Sequence, residues 1–265
     1  MDSEKVLLQA QEYIQYNRDA KHSTAIKYLI DRLEIDKLRA LLTDRIAFGT
    51  AGLRGALGPG LNQMNCLVVL QTTQGVISVL EEEFSHLSEW KNMGVVIGYD
   101  HRNESKDFAH LITGSFVGKG IKVYLFRNLV ATPMVPFGIK SLKALCGIMI
   151  TASHNPKEDN GYKLYWRNAC QIIPPLDSRI SKAILDNRKP WNWNPELFQE
   201  SIDPEHVIQE YFDQVKNLKS FPDQTMNLRF CYTAMHGVGW PFAERVFHTF
   251  GLSGLVPVQE QVRTL

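Results

Sequence analysis

Apolar positions near the start of the chain recur at helical spacing. Leu7, Ala10 and Ile14 share one face, and Ile26, Leu29, Ile30 and Leu33 follow at i, i+3, i+4 and i+7. That stripe predicts amphipathic helices, with Ser23 or Thr24 as the expected N-cap of the second, packed as an N-terminal extension on a core. The period breaks at Phe48–Gly60, where five glycines and one proline fall within thirteen residues. This composition excludes a regular helix and predicts a loop with Arg54 at its middle.

Beyond the loop, two element types alternate. Val68 to Phe84 is helical through Val69, Thr72, Val76, Val79 and Leu80, and Asp107 to Gly118 is helical through Phe108, Leu111, Ile112, Ser115 and Phe116. Pro133 opens a third helix running to Leu145, and Asp177 is the expected cap of a fourth through Ile180, Ala183 and Ile184. Between them lie short apolar runs, Gly94–Asp100, Lys122–Phe126 and Gly147–Thr151, of the kind that forms buried strands. Gly161–Trp166 alternates like a hairpin strand, and its short link to Gly147–Thr151 permits antiparallel pairing. The expected fold is α/β, a three-layer α/β/α domain with a mixed sheet.

Asn187–Pro204, with three prolines and two tryptophans, is expected to be an irregular connection. A helix from His206 to Leu218, a strand from Leu228 to Thr233, a turn at His236–Gly239 and a helix from Pro241 to Phe250 then begin a second, similar unit. The division is therefore residues 1–205, one domain with its helical extension, and 206–265, a linker helix with an incomplete second domain. No internal repeat is present.

Composition narrows the function. Twenty-nine Lys+Arg against 28 Asp+Glu leave a net charge of +1, without the basic excess of a nucleic-acid binder. The four cysteines are far apart and form no CxxC pair, which disfavours a zinc ribbon or a dithiol site. No apolar stretch is long enough to span a membrane, and the acidic, polar start is unlike a signal peptide. A cytoplasmic protein with reduced thiols is expected, with no nucleic-acid or membrane partner.

Candidate chemistry concentrates at Thr151–Pro156 and Asp159–Lys163. A buried strand delivers Ser153 to its carboxyl end, where α/β sheets hold ligands. Pro156 turns the chain by disfavouring the helical region at Asn155, and the returning strand carries Lys163 toward the same pocket. Taken alone, the four residues Ser153–Pro156 read rather as a simple turn. A Ser-His hydrolase is disfavoured, because Ser153 and His154 are sequence neighbours and no GxSxG elbow exists. Asp100, His101 and Arg102 at another strand end line or support the pocket, or form only a loop ion pair. Lys157 reads as a solvated charge.

Four blocks in order, Phe48–Gly55 (FGTAGLRG), Val95–Arg102 (VVIGYDHR), Gly147–Lys163 (GIMITASHNPKEDNGYK) and Ala234–Gly239 (AMHGVG), closely resemble the α-D-phosphohexomutase superfamily, in its phosphoglucomutase/phosphopentomutase branch that includes glucose-1,6-bisphosphate synthase. The resemblance runs from about Phe48 to Gly254 and implies a phosphosugar mutase. Ser153 matches the serine that carries a phosphoryl group, donates it to a sugar monophosphate and takes the other phosphate back from the bisphosphate. Arg54 matches the arginine near the catalytic phosphate, His154 orients the nucleophile, and Lys163 assists proton transfer or neutralises charge. The implied partners are small sugar phosphates. The implied cofactors are Mg²⁺, one of whose ligands is the phosphate on Ser153, and glucose 1,6-bisphosphate or a related bisphosphate as primer. The family's aspartate-rich metal loop, its sugar-selecting loop and its distal phosphate loop have no counterpart in these residues. Little or no mutase activity is therefore expected of the 265 residues alone. A bisphosphate synthase and a non-catalytic sugar-phosphate-binding module are the competing readings.

Overall fold

The computed structural model describes residues 3–220 and 228–263. Three helices come first: α1 (Ser3–Tyr16), α2 (Ala20–Asp31) and α3 (Ile35–Leu42). Val6, Ala10 and Tyr13 form the buried stripe of α1, flanked by the half-buried Leu7 and Ile14. The cap of α2 is Asp19, whose carboxylate accepts from the His22 amide at 3.0 Å, and not Ser23 or Thr24, which lie inside the helix. Ser23 instead receives a bond from the Asn17 amide at 3.0 Å. Leu33 leaves the predicted stripe because its backbone turns left-handed, at φ 51°, and exposes the side chain.

The main domain follows as β1 (Leu53–Ala56), α4 (Cys66–Phe84), α5 (Trp90–Met93), β2 (Val95–Tyr99), α6 (Ser105–Val117), β3 (Val123–Leu125), α7 (Met134–Leu142), β4 (Cys146–Ile150), β5 (Asp159–Trp166) and α8 (Leu176–Asp186). The five strands form one mixed sheet in the order β1-β5-β4-β2-β3. Strands β2, β3 and β4 are parallel, whereas β5 runs antiparallel to both β4 and β1. One face, with Ile97, Ile148, Ile150 and Leu164, packs against α4 and α6. The other, with Val96, Met149 and Tyr165, packs against α7 and α9 (Glu205–Lys216). Each fully buried aliphatic side chain in these two layers contributes roughly 1.5–3 kcal/mol relative to exposure. The three-layer α/β/α fold with a mixed sheet is the expected one.

Two local expectations are corrected. Arg54 lies on a strand, because β1 borrows its backbone partners from β5 with Arg54 opposite Gly161. Gly52 makes the approach possible at φ 81°, since a Cβ there would sit 1.8 Å from the Tyr162 carbonyl oxygen. Asp177 does not cap α8; Pro175 holds the cap position and Asp177 lies in the first turn.

Residues 187–204 contain only a short 3-10 turn at Pro195–Glu200. The segment is tied to α4 by Gln74, whose side chain donates to the Asn187 and Lys189 carbonyls and accepts from the Trp191 amide. Leu218, the predicted last residue of that helix, lies beyond the end of α9 and is exposed.

The last unit comprises β6 (Phe230–Tyr232), α10 (Gly239–Phe250), β7 (Leu255–Pro257) and a 3-10 turn at Gln259–Gln261. Strands β6 and β7 pair in parallel as a two-stranded sheet. No residue from 228 to 263 is buried, whereas every residue of β4 is. Amides of β6 and α10 are therefore expected to exchange at least about 100-fold faster than those of β4, a difference of about 2.7 kcal/mol in opening free energy. Hydrogen exchange read by mass spectrometry checks this; equal protection of the two segments would contradict it.

Candidate active site

Strand β4 ends at Ile150 and the chain turns at once. The Thr151 amide donates to the Gly161 carbonyl at 3.1 Å and the Asn155 amide to the Ala152 carbonyl at 3.1 Å, closing a tight turn around Ser153. The Thr151 hydroxyl accepts from the Ser153 amide at 2.9 Å. Ser153 itself is left-handed, at φ 58°, and its side chain is exposed. A non-glycine residue held there costs about 1–3 kcal/mol, so the surroundings must impose it.

Arg102 supplies the constraint. Its guanidinium donates to four carbonyl oxygens of the serine loop: Pro156 at 2.7 Å, Asp159 at 3.0 Å, Ser153 at 2.8 Å and Asn155 at 2.8 Å. Hydrogen bonds with a charged partner are worth roughly 1.5–3 kcal/mol each, so four of them outweigh the strain at one residue. The side chain is nearly buried, and its charge is matched by Asp100, whose carboxylate lies 3.4 Å from Nε. Asp100 also accepts from the Ser105 hydroxyl at 2.9 Å, and Asn160 donates to that hydroxyl at 3.0 Å. The end of β2 is thereby knitted to the loop that presents the serine. Of the two sequence readings for Asp100 and Arg102, the ion pair is present, and Arg102 in addition holds the carbonyls of the serine loop.

Lys163 reaches the Ser153 hydroxyl directly. Its Nζ donates to Ser153 Oγ at 2.6 Å. Burial comes first among the causes that lower its pKa, followed by the charges of Arg54 and, more weakly, Arg102; Asp100 opposes them. Arg54 stands on the same side of the sheet. It is paired with Gly161, and side chains two residues apart on a strand share a face, so Arg54 and Lys163 are diagonal neighbours. Arg54 donates to Asn155 Oδ1 at 3.2 Å and remains exposed, with most of its guanidinium fork free for a phosphate.

The predicted residues Ser153, Lys163 and Arg54 thus converge. His154 is exposed on the same turn, and among the described residues no hydrogen bond joins its ring to Ser153. Two contributors were underread in the sequence: Arg102, whose partners are backbone carbonyls that no side-chain pattern advertises, and Asn155, read only as a turn former but here the anchor of Arg54.

The site combines a hydroxyl strained toward solvent, an amine with a lowered pKa and fixed cations. That set suits transfer of a dianionic phosphoryl group, which depends on positioning and charge neutralisation. The residues gathered here do not by themselves fit the magnesium ion that the resemblance implies. Among the described residues no three His, Cys, Asp or Glu side chains gather as metal ligands, and Asp100 is already engaged by Arg102 and Ser105.

The chain is similar to known proteins in both sequence and fold. The phosphoglucomutase/phosphomannomutase alpha/beta/alpha domain I matches residues 45–191, so the chain belongs to the phosphoglucomutase/phosphomannomutase family. It is 41% identical to the Homo sapiens phosphopentomutase, over 94% of this chain and 43% of that protein. It is 38% identical to the Homo sapiens glucose 1,6-bisphosphate synthase, over 94% of this chain and 42% of that protein. The chain thus spans less than half the length of these relatives. Among solved structures, a phosphomannomutase of Thermus thermophilus superposes with a TM-score of 0.67 at 25% identity, over 84% of this chain and 47% of that one. No helix among the described residues is long and apolar enough to cross a membrane.

Proposed function

We propose that this chain carries the phosphoryl-relay half of a phosphosugar mutase. The observation that carries the reading is the 2.6 Å contact between Lys163 Nζ and Ser153 Oγ beside Arg54. The bond from Ser153 Oγ to phosphorus forms as the bond from a sugar oxygen to phosphorus breaks. The serine proton passes to neutral Lys163 and from it to the departing sugar oxygen. Arg54 balances charge on the transferred group, and Arg102 keeps the serine loop fixed throughout. His154, exposed beside the serine, is placed to contact the phosphate once Ser153 carries it. Reversal onto the sugar's other hydroxyl completes an isomerisation through a bisphosphate. Magnesium would take one oxygen of the Ser153 phosphate, but no three His, Cys, Asp or Glu side chains gather among the described residues to complete its coordination.

Incubation of the purified chain with glucose 1,6-bisphosphate is expected to place one phosphoryl group on Ser153, identified by peptide mass spectrometry. A coupled glucose 1-phosphate assay on the same protein is expected to show no robust turnover. Absence of phosphate from Ser153 would favour a binding module over an enzyme, and robust turnover would refute the expectation that these residues are insufficient. Bisphosphate synthesis is the second reading, favoured by the closeness of the 41% and 38% identities. Faster phosphorylation of Ser153 by an acyl phosphate of the bisphosphoglycerate class than by the sugar bisphosphate would select it.

A further inference from the structure

We propose that a small cavity between the N-terminal helix and the main domain, lined by Tyr13, Arg45 and Arg188, binds a single chloride-sized anion that fastens α1 to the domain. The cavity is about 20 Å³, room for one monatomic ion or one water. None of its lining residues belongs to the phosphoryl-transfer site.

Three observations select the ion. Arg45 is half-buried, and among the described residues no carboxylate lies within ion-pair distance of it; its one side-chain bond is from Nη2 to Gln71 Oε1 at 2.6 Å. Tyr13 lines the same cavity at 2% exposure, and its hydroxyl is buried with no hydrogen-bond partner. Among the lining residues the charges leave an excess of one: Arg188 faces Glu12 at 3.9 Å, and no second lining acid offsets Arg45.

Burial and the neighbouring Arg188 push the Arg45 pKa down to about 10, against the pull of Glu12. The guanidinium is therefore a cation at neutral pH in a place that disfavours cations. Burial, and after it the negative charge of Asp19, raise the Tyr13 pKa, so its hydroxyl keeps its proton and can donate. A half-buried cation and a buried unpaired donor around one small space call for an acceptor, and an anion satisfies both where a neutral water balances no charge. Glu12 also lines the cavity and works against the anion. Its contact with Arg188, and not with Arg45, leaves the Arg45 end favourable.

Crystals of the 265-residue protein grown in sodium bromide are expected to show an anomalous peak bounded by Arg45 and Tyr13. In solution, the thermal midpoint is compared in sodium chloride and in sodium gluconate at equal ionic strength, the gluconate anion being too large to enter. Chloride at ten times its dissociation constant shifts the folding equilibrium about elevenfold, or about 1.4 kcal/mol, and raises the midpoint by about 3–6 °C. Arg45→Met is expected to abolish the chloride-specific rise. Should that variant not fold, Tyr13→Phe keeps the ring and removes only the donor, and is expected to weaken the chloride dependence severalfold. No bromide peak, or equal midpoints in the two salts, would mean that water alone fills the cavity and would overturn the proposal.

Discussion

Lys163→Met is expected to slow phosphorylation of Ser153 by a sugar bisphosphate by about 10²–10⁴-fold, the range of positioned acid–base groups. The amine touches the serine hydroxyl at 2.6 Å, and no second titratable side chain is bonded to that oxygen among the described residues. The pH profile separates proton transfer from simple charge. Burial, Arg54 and Arg102 lower the Lys163 pKa, so the neutral amine that accepts the serine proton becomes abundant at lower pH than for a free lysine. The rate should rise with pH until the lowered pKa is passed and then level off. Lys163→Met should lose that rise. Lys163→Arg should keep the charge and still lose it, because guanidinium does not deprotonate in this range. A Lys163→Arg variant with unaltered rate and profile would show that Lys163 acts only as a charge.

The same lowered pKa fixes the sign of a stability effect. The unfolded chain binds more protons than the folded one between the folded pKa of Lys163 and its ordinary value, so stability rises with pH across that window. Below the window the cost of the charged lysine is fully present. Lys163→Met should accordingly be at least as stable as the parent near neutral pH, with the advantage shrinking as the solution becomes alkaline.

What the sequence revealed about this site follows from the kind of interaction involved. Strands β2 and β4 are continuous apolar runs, buried at every position, and were visible as such. The return of the chain to put Lys163 beside Ser153 was visible too, because a short link between two strand patterns permits little else than a hairpin. Strand β1 was not. It is four residues long in a glycine-rich segment, and it becomes a strand only through pairing with residues more than a hundred positions away. Leu33 continued a helical stripe that the backbone had already left, and Asp19 capped α2 ahead of the residues the hydrophobic signal pointed to. In the last unit β6 and α10 were legible from their own patterns. The brief β7, whose partner is β6, was not.

Arg102→Met is expected to destabilise the domain by about 3–5 kcal/mol, the cost of leaving a buried charge without its partner. That corresponds to a fall of about 6–20 °C in the thermal midpoint. The methionine would strand the Asp100 carboxylate and release four loop carbonyls at once. Adding Asp100→Asn removes the stranded charge, so the double variant should recover part of the loss, a coupling that a double-mutant cycle measures directly. Loop order and nucleophile geometry should fail together. Amides at 153–159 should exchange faster in Arg102→Met than in the parent, and Ser153, no longer held at φ 58°, should be phosphorylated more slowly even where the remaining fold is intact. Arg102→Lys should rescue the charge balance with Asp100 but not the loop, because an ammonium with three donors on a flexible stem cannot reproduce the planar fork that spans four carbonyl oxygens. Full activity in Arg102→Lys would place the importance of Arg102 in its charge and remove the carbonyl clamp from the mechanism.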